Sequence, residues 1–366
     1  MKTVMLVFGT RPEAIKMCPL VLELKKRHHI RTVVCLSGQH GEMLYSVLNV
    51  FGVVADYDMR VMKENQDLFD ITSSVINNIK PILSKEKPDI VLVHGDTSTT
   101  FATSLACFYM RIPVAHVEAG LRSLDISEPF PEEFNRRVTS IVSKYDFAPT
   151  LKAKDNLLIE GKHEDQVFVT GNTVIDALNF TLSKESCSSS VEIPSGKKLV
   201  LFTAHRRESL DRGLDSIFRA ISRIANERDD IHIIYPMHPN PKIRAIAEGE
   251  LAKCSNIFLT EPLGVVDFHK LLSKSHFVLT DSGGLQEEAT ALHKPVLVLR
   301  NKSERVEGVD SGALKIIGTN EFEIYKSCLS LLDNEEEYKK MASAESPYGD
   351  GFASKRIADI IERIIE

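Results

Sequence analysis

Three carboxylates in this sequence stand where extended segments or loops end. Residues 90–93 form a short aliphatic run that stops at His94-Gly95-Asp96-Thr97, and residues 113–117 form a second that stops at Glu118-Ala119-Gly120-Leu121-Arg122. A proline-rich loop then brings Glu132 and Glu133 to the start of a helix. Grouped carboxylates raise one another's pKa, so one can hold a proton as an acid while another stays ionised as a base. Asp96, Glu118 and Glu132 are therefore a candidate acid/base set, although a lone carboxylate after a strand is commonly only a solvated surface group. A different chemistry is written at Asp281-Ser282-Gly283-Gly284. There a strand end, a hydroxyl and paired glycines lead into a helix, exposing backbone N–H groups at its positive end, an arrangement suited to phosphate. Glu288, farther along that helix, is placed to accept from ribose hydroxyls. His205-Arg206-Arg207-Glu208 ends another strand of the same half, and a histidine and arginine aimed at a diphosphate would stabilise a departing anion.

The elements that position these groups are set by hydrophobic pattern. The segment between residues 93 and 113 is helical and long enough for a crossover, so the strands on either side are parallel with their carboxyl ends together, and Asp96 and Glu118 face one crevice. Ligands in open α/β sheets bind outside those ends. Residues 3–8 are a continuous apolar strand leading to Gly9-Thr10-Arg11-Pro12-Glu13, where proline marks a helix start. Arg11 and Lys16 lie near that positive helix end, which favours a nearby anion. Residues 31–36, 145–148 and 166–170 read as further strands of the first half. The pattern restarts with strands at 199–202, 231–237, 256–259, 277–280 and 295–299. This gives residues 1–182 as one Rossmann-like domain, a serine- and lysine-rich linker at 183–198, a second Rossmann-like domain at 199–352, and a C-terminal helix at 353–366. The fold class is α/β, with two doubly wound domains facing each other across a cleft.

Composition narrows the class. The chain has 366 residues, long enough for two cores, and its net charge of −6 gives no basic footprint for nucleic acid. Six scattered cysteines form no metal-ligand or redox spacing, so reduced buried thiols and no metal are expected. No apolar run approaches a membrane span and the N-terminus enters a strand directly, which points to a cytoplasmic protein. The Asp281 turn lacks both GxGxxG and GxxxxGK[ST], which disfavours hydride and ATP chemistry.

The motifs Gly9-Thr10-Arg11-Pro12-Glu13-Ala14-Ile15-Lys16-Met17, His94-Gly95-Asp96-Thr97, His116-Val117-Glu118-Ala119-Gly120-Leu121-Arg122, Pro131-Glu132-Glu133, Gly171-Asn172-Thr173, His205-Arg206-Arg207-Glu208 and Asp281-Ser282-Gly283-Gly284 resemble those of the non-hydrolysing UDP-N-acetylglucosamine 2-epimerases. The resemblance covers nearly the whole chain. It implies a GT-B type fold, a homodimer, no cofactor, a place in polysaccharide biosynthesis, and interconversion of UDP-GlcNAc with UDP-ManNAc. It also implies that the C-terminal helix crosses back to the first domain. Carried over, Asp96, Glu118 and Glu132 are the acid/base set and His205 assists the leaving UDP. Arg11, Lys16, Arg122, His238, Ser282, Gly283, Gly284 and Glu288 contact the substrate. A second UDP-GlcNAc as activator would touch Gln39, Glu42, Arg206 and His238. The segment 300–308, Arg-Asn-Lys-Ser-Glu-Arg-Val-Glu-Gly, departs from the Asp-Thr-Thr-Glu-Arg-Pro-Glu loop of many relatives, which leaves a modified UDP-HexNAc open. Hydrolysis to ManNAc and UDP, glycosyl transfer, and non-catalytic sugar-nucleotide sensing are the competing readings.

Overall fold

The computed structural model describes residues 1–38, 41–63, 66–185, 194–204, 213–301 and 305–366. The chain divides into two compact units, Met1–Phe180 with Tyr348–Glu366, and Thr181–Pro347. In the first, seven parallel strands are arranged in the order β3-β2-β1-β4-β5-β6-β7. These are β1 (Lys2–Phe8), β2 (Ile30–Leu36), β3 (Tyr57–Asp58), β4 (Ile90–His94), β5 (Val114–Val117), β6 (Tyr145–Ala148) and β7 (Val167–Val169). The helices are α1 (Arg11–Lys25), α2 (Gly41–Phe51), α3 (Leu68–Glu86), α4 (Ser98–Tyr109), α5 (Glu132–Val142), α6 (Leu151–Ile159) and α7 (Thr173–Leu182). The alternation of a strand sorts β1 into two cores. Val4, Leu6 and Phe8 pack with α1 and α2, while Met5 and Val7 pack with α3 and α4 on the other face. A run apolar at every position is what a strand covered on both sides requires.

The second unit repeats the plan with six parallel strands in the order β10-β9-β8-β11-β12-β13. They are β8 (Lys198–Thr203), β9 (Ile231–Pro236), β10 (Ile257–Thr260), β11 (Phe277–Thr280), β12 (Val296–Val298) and β13 (Leu314–Ile316). Its described helices are α8 (Leu214–Glu227), α9 (Pro241–Leu251), α10 (Val265–Lys274), α11 (Gly283–Ala291), α12 (Val306–Asp310), α13 (Glu321–Asp333) and α14 (Glu335–Ala342). Leu199 and Leu201 enter one core of β8, Val200 and Phe202 the other. In each sheet the strand order reverses once, between β1 and β4 and between β8 and β11. Connections leave in opposite directions at those points, so a crevice opens beyond the carboxyl ends.

The chain returns to the first unit earlier than the sequence suggested, at Tyr348 rather than at residue 353. Two glycines permit this: Gly349, at φ +117°, lies so close to Gly171 that a Cβ on either would sit about 3 Å from the other's Cα. The Asn172 N–H donates to the Tyr348 carbonyl at 2.7 Å. The final helix, α15 (Ala353–Ile365), then buries Ile357, Ala358, Ile361 and Ile365 in the core that contains Ala14, Met17, Cys18, Val21 and Leu24 of α1. At the rim Arg27 pairs with Asp359, and His29 lies 2.8 Å from Glu362. The expected linker includes residues 186–193, which lie outside the described residues, and Lys198 already belongs to β8. Strands β3 and β13, of two and three residues, are too short to show a period in sequence. Cys18, Cys35, Cys107, Cys254 and Cys328 are buried free thiols, and burial pushes Cys35 up to about 12.

Candidate active site

Glu118 follows β5 in a left-handed conformation, φ +62°, which a non-glycine residue adopts at an expense of about 1 to 3 kcal/mol. That turn brings its carboxylate back over the end of β4. A Cβ added at Gly95 would lie 3.6 Å from Glu118 Oε1. The other oxygen accepts from Lys16 Nζ, reaching over from α1, and from Asn172 Nδ2 at 2.6 Å. His94 Nε2 lies 3.9 Å away, beyond hydrogen-bond reach. Burial brings His94 down to about 4 against the opposing pull of Glu118, so it is neutral near pH 7. Lys16 near the α1 N-terminus was expected to call for a bound anion. Within the protein, Glu118 already supplies one.

Asp96 lies beyond β4 through Gly95, which has φ +64°. Its main chain is held on both sides. His116 Nε2 meets the Gly95 carbonyl at 2.7 Å, and Asn135 Nδ2 donates to the Asp96 carbonyl at 2.9 Å. Because its partner is a carbonyl, Nε2 of His116 carries the proton. The Asp96 carboxylate accepts from Arg136, one turn into α5, whose other terminal nitrogen lies 3.3 Å from the buried Glu133. Glu133 also accepts from the Ser123 N–H at 3.0 Å and from Arg137 at 3.1 Å. Glu132 begins α5 at its positive end. Asn135 and Arg136, one turn after Glu132, thus join α5 to Asp96.

Glu13 fixes these parts to α1. Its carboxylate, buried, accepts from the N–H groups of Gly9 and Thr10 at 3.0 and 2.7 Å and from the Thr97 and Thr100 hydroxyls at 2.8 and 3.3 Å. Thr10 and Glu13 form a reciprocal capping box, so the same side chain starts α1 and ties it to α4 just beyond Asp96. Burial raises the Glu13 pKa, while those hydrogen bonds pull the other way.

In the second unit, Thr203 and Thr280 hydroxyls meet at 2.7 Å across β8 and β11, and the Ser282 N–H donates to Thr280 Oγ1 at 2.9 Å. Ser282 is the N-cap of α11, yet among the described residues no side chain caps that end. Gly284 faces open space where a Cβ would stand. Glu288 lies in α11 with one oxygen 3.6 Å from His269 Nε2, and His269 Nδ1 in turn meets the Thr181 hydroxyl at 2.6 Å.

The sequence-derived residues divide accordingly. Asp96, Glu118, Lys16, Glu132 and Arg11 gather at the switch-point end of the first sheet, around β4, β5, α5 and α1. Ser282, Gly283, Gly284 and Glu288 gather at the corresponding end of the second. Arg122 is held within the protein. It was expected to contact substrate, but its guanidinium is inside the protein, bound to Glu160 at 2.6 and 2.8 Å, Ser140 at 3.0 Å and the Leu121 carbonyl at 2.7 Å. Its donors hold the loop after Gly120 onto α6 and α5. Glu42, in the first turn of α2, and His238, after β9, are exposed. Gln39, His205 and Arg206 lie outside the described residues. Sequence reasoning did not assign Asn172, Asn135 or Arg136 a place here. Only the position of Asn172 within the Gly171-Asn172-Thr173 motif signalled it. Among the described residues no cluster of metal-ligating side chains occurs, and no helix is long and apolar enough to cross a membrane.

The likeness of this chain to known proteins extends over both units. The family model described as UDP-N-acetylglucosamine 2-epimerase matches residues 22–362. A UDP-N-acetylglucosamine 2-epimerase of Bacillus subtilis (strain 168) is 52% identical over 356 residues, covering 97% of this chain and 94% of that protein. The crystal structure of a UDP-GlcNAc 2-epimerase from Neisseria meningitidis bound to UDP-GlcNAc superposes with a TM-score of 0.95 at 47% identity, covering 99% of this chain and 100% of that one. The Methanocaldococcus jannaschii UDP-GlcNAc 2-epimerase in complex with UDP-GlcNAc and UDP gives a TM-score of 0.85 at 32% identity, covering 99% of each. A glycotransferase of kitacinnamycin, 11% identical with a TM-score of 0.70, shares the fold alone. The two doubly wound units are of GT-B type.

Proposed function

The chain belongs to the UDP-N-acetylglucosamine 2-epimerase family, and from that premise we propose that it interconverts UDP-GlcNAc and UDP-ManNAc without net hydrolysis, by elimination and re-addition of UDP. The observation that carries this reading is the pair of carboxylates, Glu118 and Asp96, on turns after adjacent parallel strands, each fixed by a cation, Lys16 and Arg136. A sugar C2 proton is not beside a carbonyl and is barely acidic, so departure of UDP must lead. As the C1–O bond breaks, its electron pair leaves with the diphosphate oxygen and positive charge builds at C1, acidifying C2–H. A carboxylate takes that proton and the C–H pair becomes the C1=C2 bond of a 2-acetamidoglucal. Protonation of C2 from the opposite face and return of the UDP oxygen to C1 invert the centre. Two faces need two proton-transfer groups, which suits a set comprising Asp96, Glu118 and Glu132.

The nucleotide is assigned to the start of α11, where Ser282, Gly283 and Gly284 can offer N–H and hydroxyl donors to phosphate, with Glu288 for the ribose. His205 assisting the departing UDP, and a second UDP-GlcNAc activating through Gln39, Glu42, Arg206 and His238, rest on the family resemblance. The exposure of Glu42 and His238 is compatible with a ligand there. A homodimer is favoured by Phe69, Phe108, Tyr109, Phe134 and Ile141, exposed apolar side chains on α4 and on α3 and α5, each of which packs against α4. Sedimentation velocity tests that assembly.

The deciding experiment is proton NMR of the protein with UDP-GlcNAc in deuterated water. UDP-ManNAc carrying deuterium at C2 is expected. Free ManNAc and UDP would replace the proposal with hydrolysis. An unchanged substrate retaining its C2 proton would overturn it for UDP-GlcNAc and turn attention to other UDP-HexNAcs.

A further inference from the structure

Asn172 lies between the carboxylate of Glu118 and the point where the chain returns to the first unit. It is 2% exposed, and its amide orientation is fixed by its neighbours. Oδ1 accepts from the Val174 N–H at 3.0 Å, so Nδ2 is the end that donates to Glu118 Oε2, at 2.6 Å. Its own N–H donates to the Tyr348 carbonyl at 2.7 Å. The backbone beside it is pressed against Gly349 through Gly171, and a few residues on, Asp176 accepts from the N–H groups of Ala353 and Ser354 at 3.2 and 2.8 Å, starting α15. Residues 348–354 are therefore bonded to the start of α7 from both sides of Asn172. Glu118 itself stands in a left-handed backbone conformation, φ +62°, and its carboxylate accepts from the Asn172 amide.

We propose that Asn172 is a positioning residue for the epimerisation, holding the Glu118 carboxylate at its reacting position and transmitting to it the anchorage of the returning C-terminal segment. The inference rests on the proposed role of Glu118 in proton transfer. Lys16 supplies a point charge on a flexible stem, which sets a distance but little direction. Asn172 adds a second, directional donor from a rigid base to the same oxygen, Oε2. Misplacing a reacting group by about 1 Å lowers rate by on the order of 100-fold.

Asn172→Asp separates this role from a merely structural one. The substitution is isosteric, and the new carboxylate keeps the Val174 N–H. Its second oxygen then stands where Nδ2 stood, against Glu118. Two carboxylates that close cannot both be ionised without repulsion, and the pair takes up one shared proton as pH falls. Lys16, bonded to Glu118, favours the charge on Glu118 and the proton on the introduced carboxyl group, which rebuilds the donor. We expect kcat at pH 8 to fall about 100-fold with KM within about threefold, and the deficit relative to the unaltered protein to shrink at least about tenfold by about pH 5.5. A kcat within about threefold at pH 8, or a deficit that is the same at both pH values, overturns the proposal. If Asn172→Asp does not fold, Asn172→Ser carries the test. It can still accept from Val174 but is too short to reach Glu118, and unchanged kcat overturns the inference. Glu118→Gln is measured alongside: if it retains full activity, the assignment of Glu118 has failed, whereas an inactive Glu118→Gln with fully active Asn172 variants defeats only the role of Asn172.

Discussion

Replacing Arg136 by Met removes one cation from two carboxylates at once. Arg136 has a side chain 6% exposed, Glu133 is wholly buried, and Asp96 is 28% exposed. Deleting one partner of a buried ion pair commonly destabilises by about 3 to 5 kcal/mol, because the remaining charge loses its compensation. Here Glu133 keeps the Ser123 N–H and Arg137, and Asp96 gains water, so the lower end, about 3 kcal/mol, applies. For a unit of this size that lowers the melting temperature by roughly 6 to 12 °C. Catalysis should suffer separately. The main chain around Asp96 would keep its hydrogen bonds from His116 and Asn135, but the carboxylate would lose the donor that aims it, so kcat should fall on the order of 100-fold. Circular dichroism melting and C2–deuterium exchange, run on Arg136→Met and Arg136→Lys, test both parts. Lysine restores charge at one point but cannot fork between Asp96 and Glu133, so it should recover much of the stability and little of kcat. Unaltered melting and kcat in Arg136→Met would refute this account. Full recovery of kcat by lysine would show that charge alone suffices.

Two further outcomes are expected from packing and burial. Ile361→Ala, at a fully buried site of α15 on α1, should destabilise the first unit by about 2 to 5 kcal/mol. Urea unfolding should then show an early transition for residues of that unit in hydrogen exchange, and equal shifts in both units would contradict the division into two units. On acidification, unfolded imidazoles take up protons near pH 6.5, whereas burial holds His94 and His116 near 4 in the folded state. Both folded values are depressed, so the stability they contribute is present above 6.5 and is lost as pH falls towards 4, by about 3 kcal/mol for each. A urea midpoint that stays flat across that interval, followed by circular dichroism, would refute this linkage.

The parts of the site that depend on local order were legible in the sequence. Continuous apolar runs ending in His94-Gly95-Asp96 and Glu118-Ala119-Gly120 specified buried parallel strands, and parallel pairing brings their carboxyl ends together. Phe277 to Thr280 before Asp281-Ser282-Gly283-Gly284 specified a strand-to-helix turn in the same way. The partners that hold the acids were not legible. Asn172 reaches Glu118 from 54 residues away and Arg136 reaches Asp96 from 40. Nothing in periodicity reports such contacts. For Arg122, a cation beside the Glu118 motif reads in sequence as a substrate contact, and its bonds to Glu160 and Ser140 likewise depend on tertiary fold. Glu13 combined both cases, since the Thr-x-x-Glu spacing announces a capping box while its bonds to Thr97 and Thr100 depend on tertiary fold.

The return of residues Tyr348–Glu366 to the first unit has a consequence for synthesis. On the ribosome, β1 through α7 are made first, but the apolar side of α1 that receives Ile357 and Ile361 stays uncovered while the whole second unit is translated. The second unit has all of its residues before the first does. The nascent chain therefore completes in inverse order, and the first-made half, which carries the proposed reacting acids, is the last to close. Chaperone demand should fall on α1 during that interval, and a ribosome stalled before Tyr348 would hold a finished second unit beside an unfinished first.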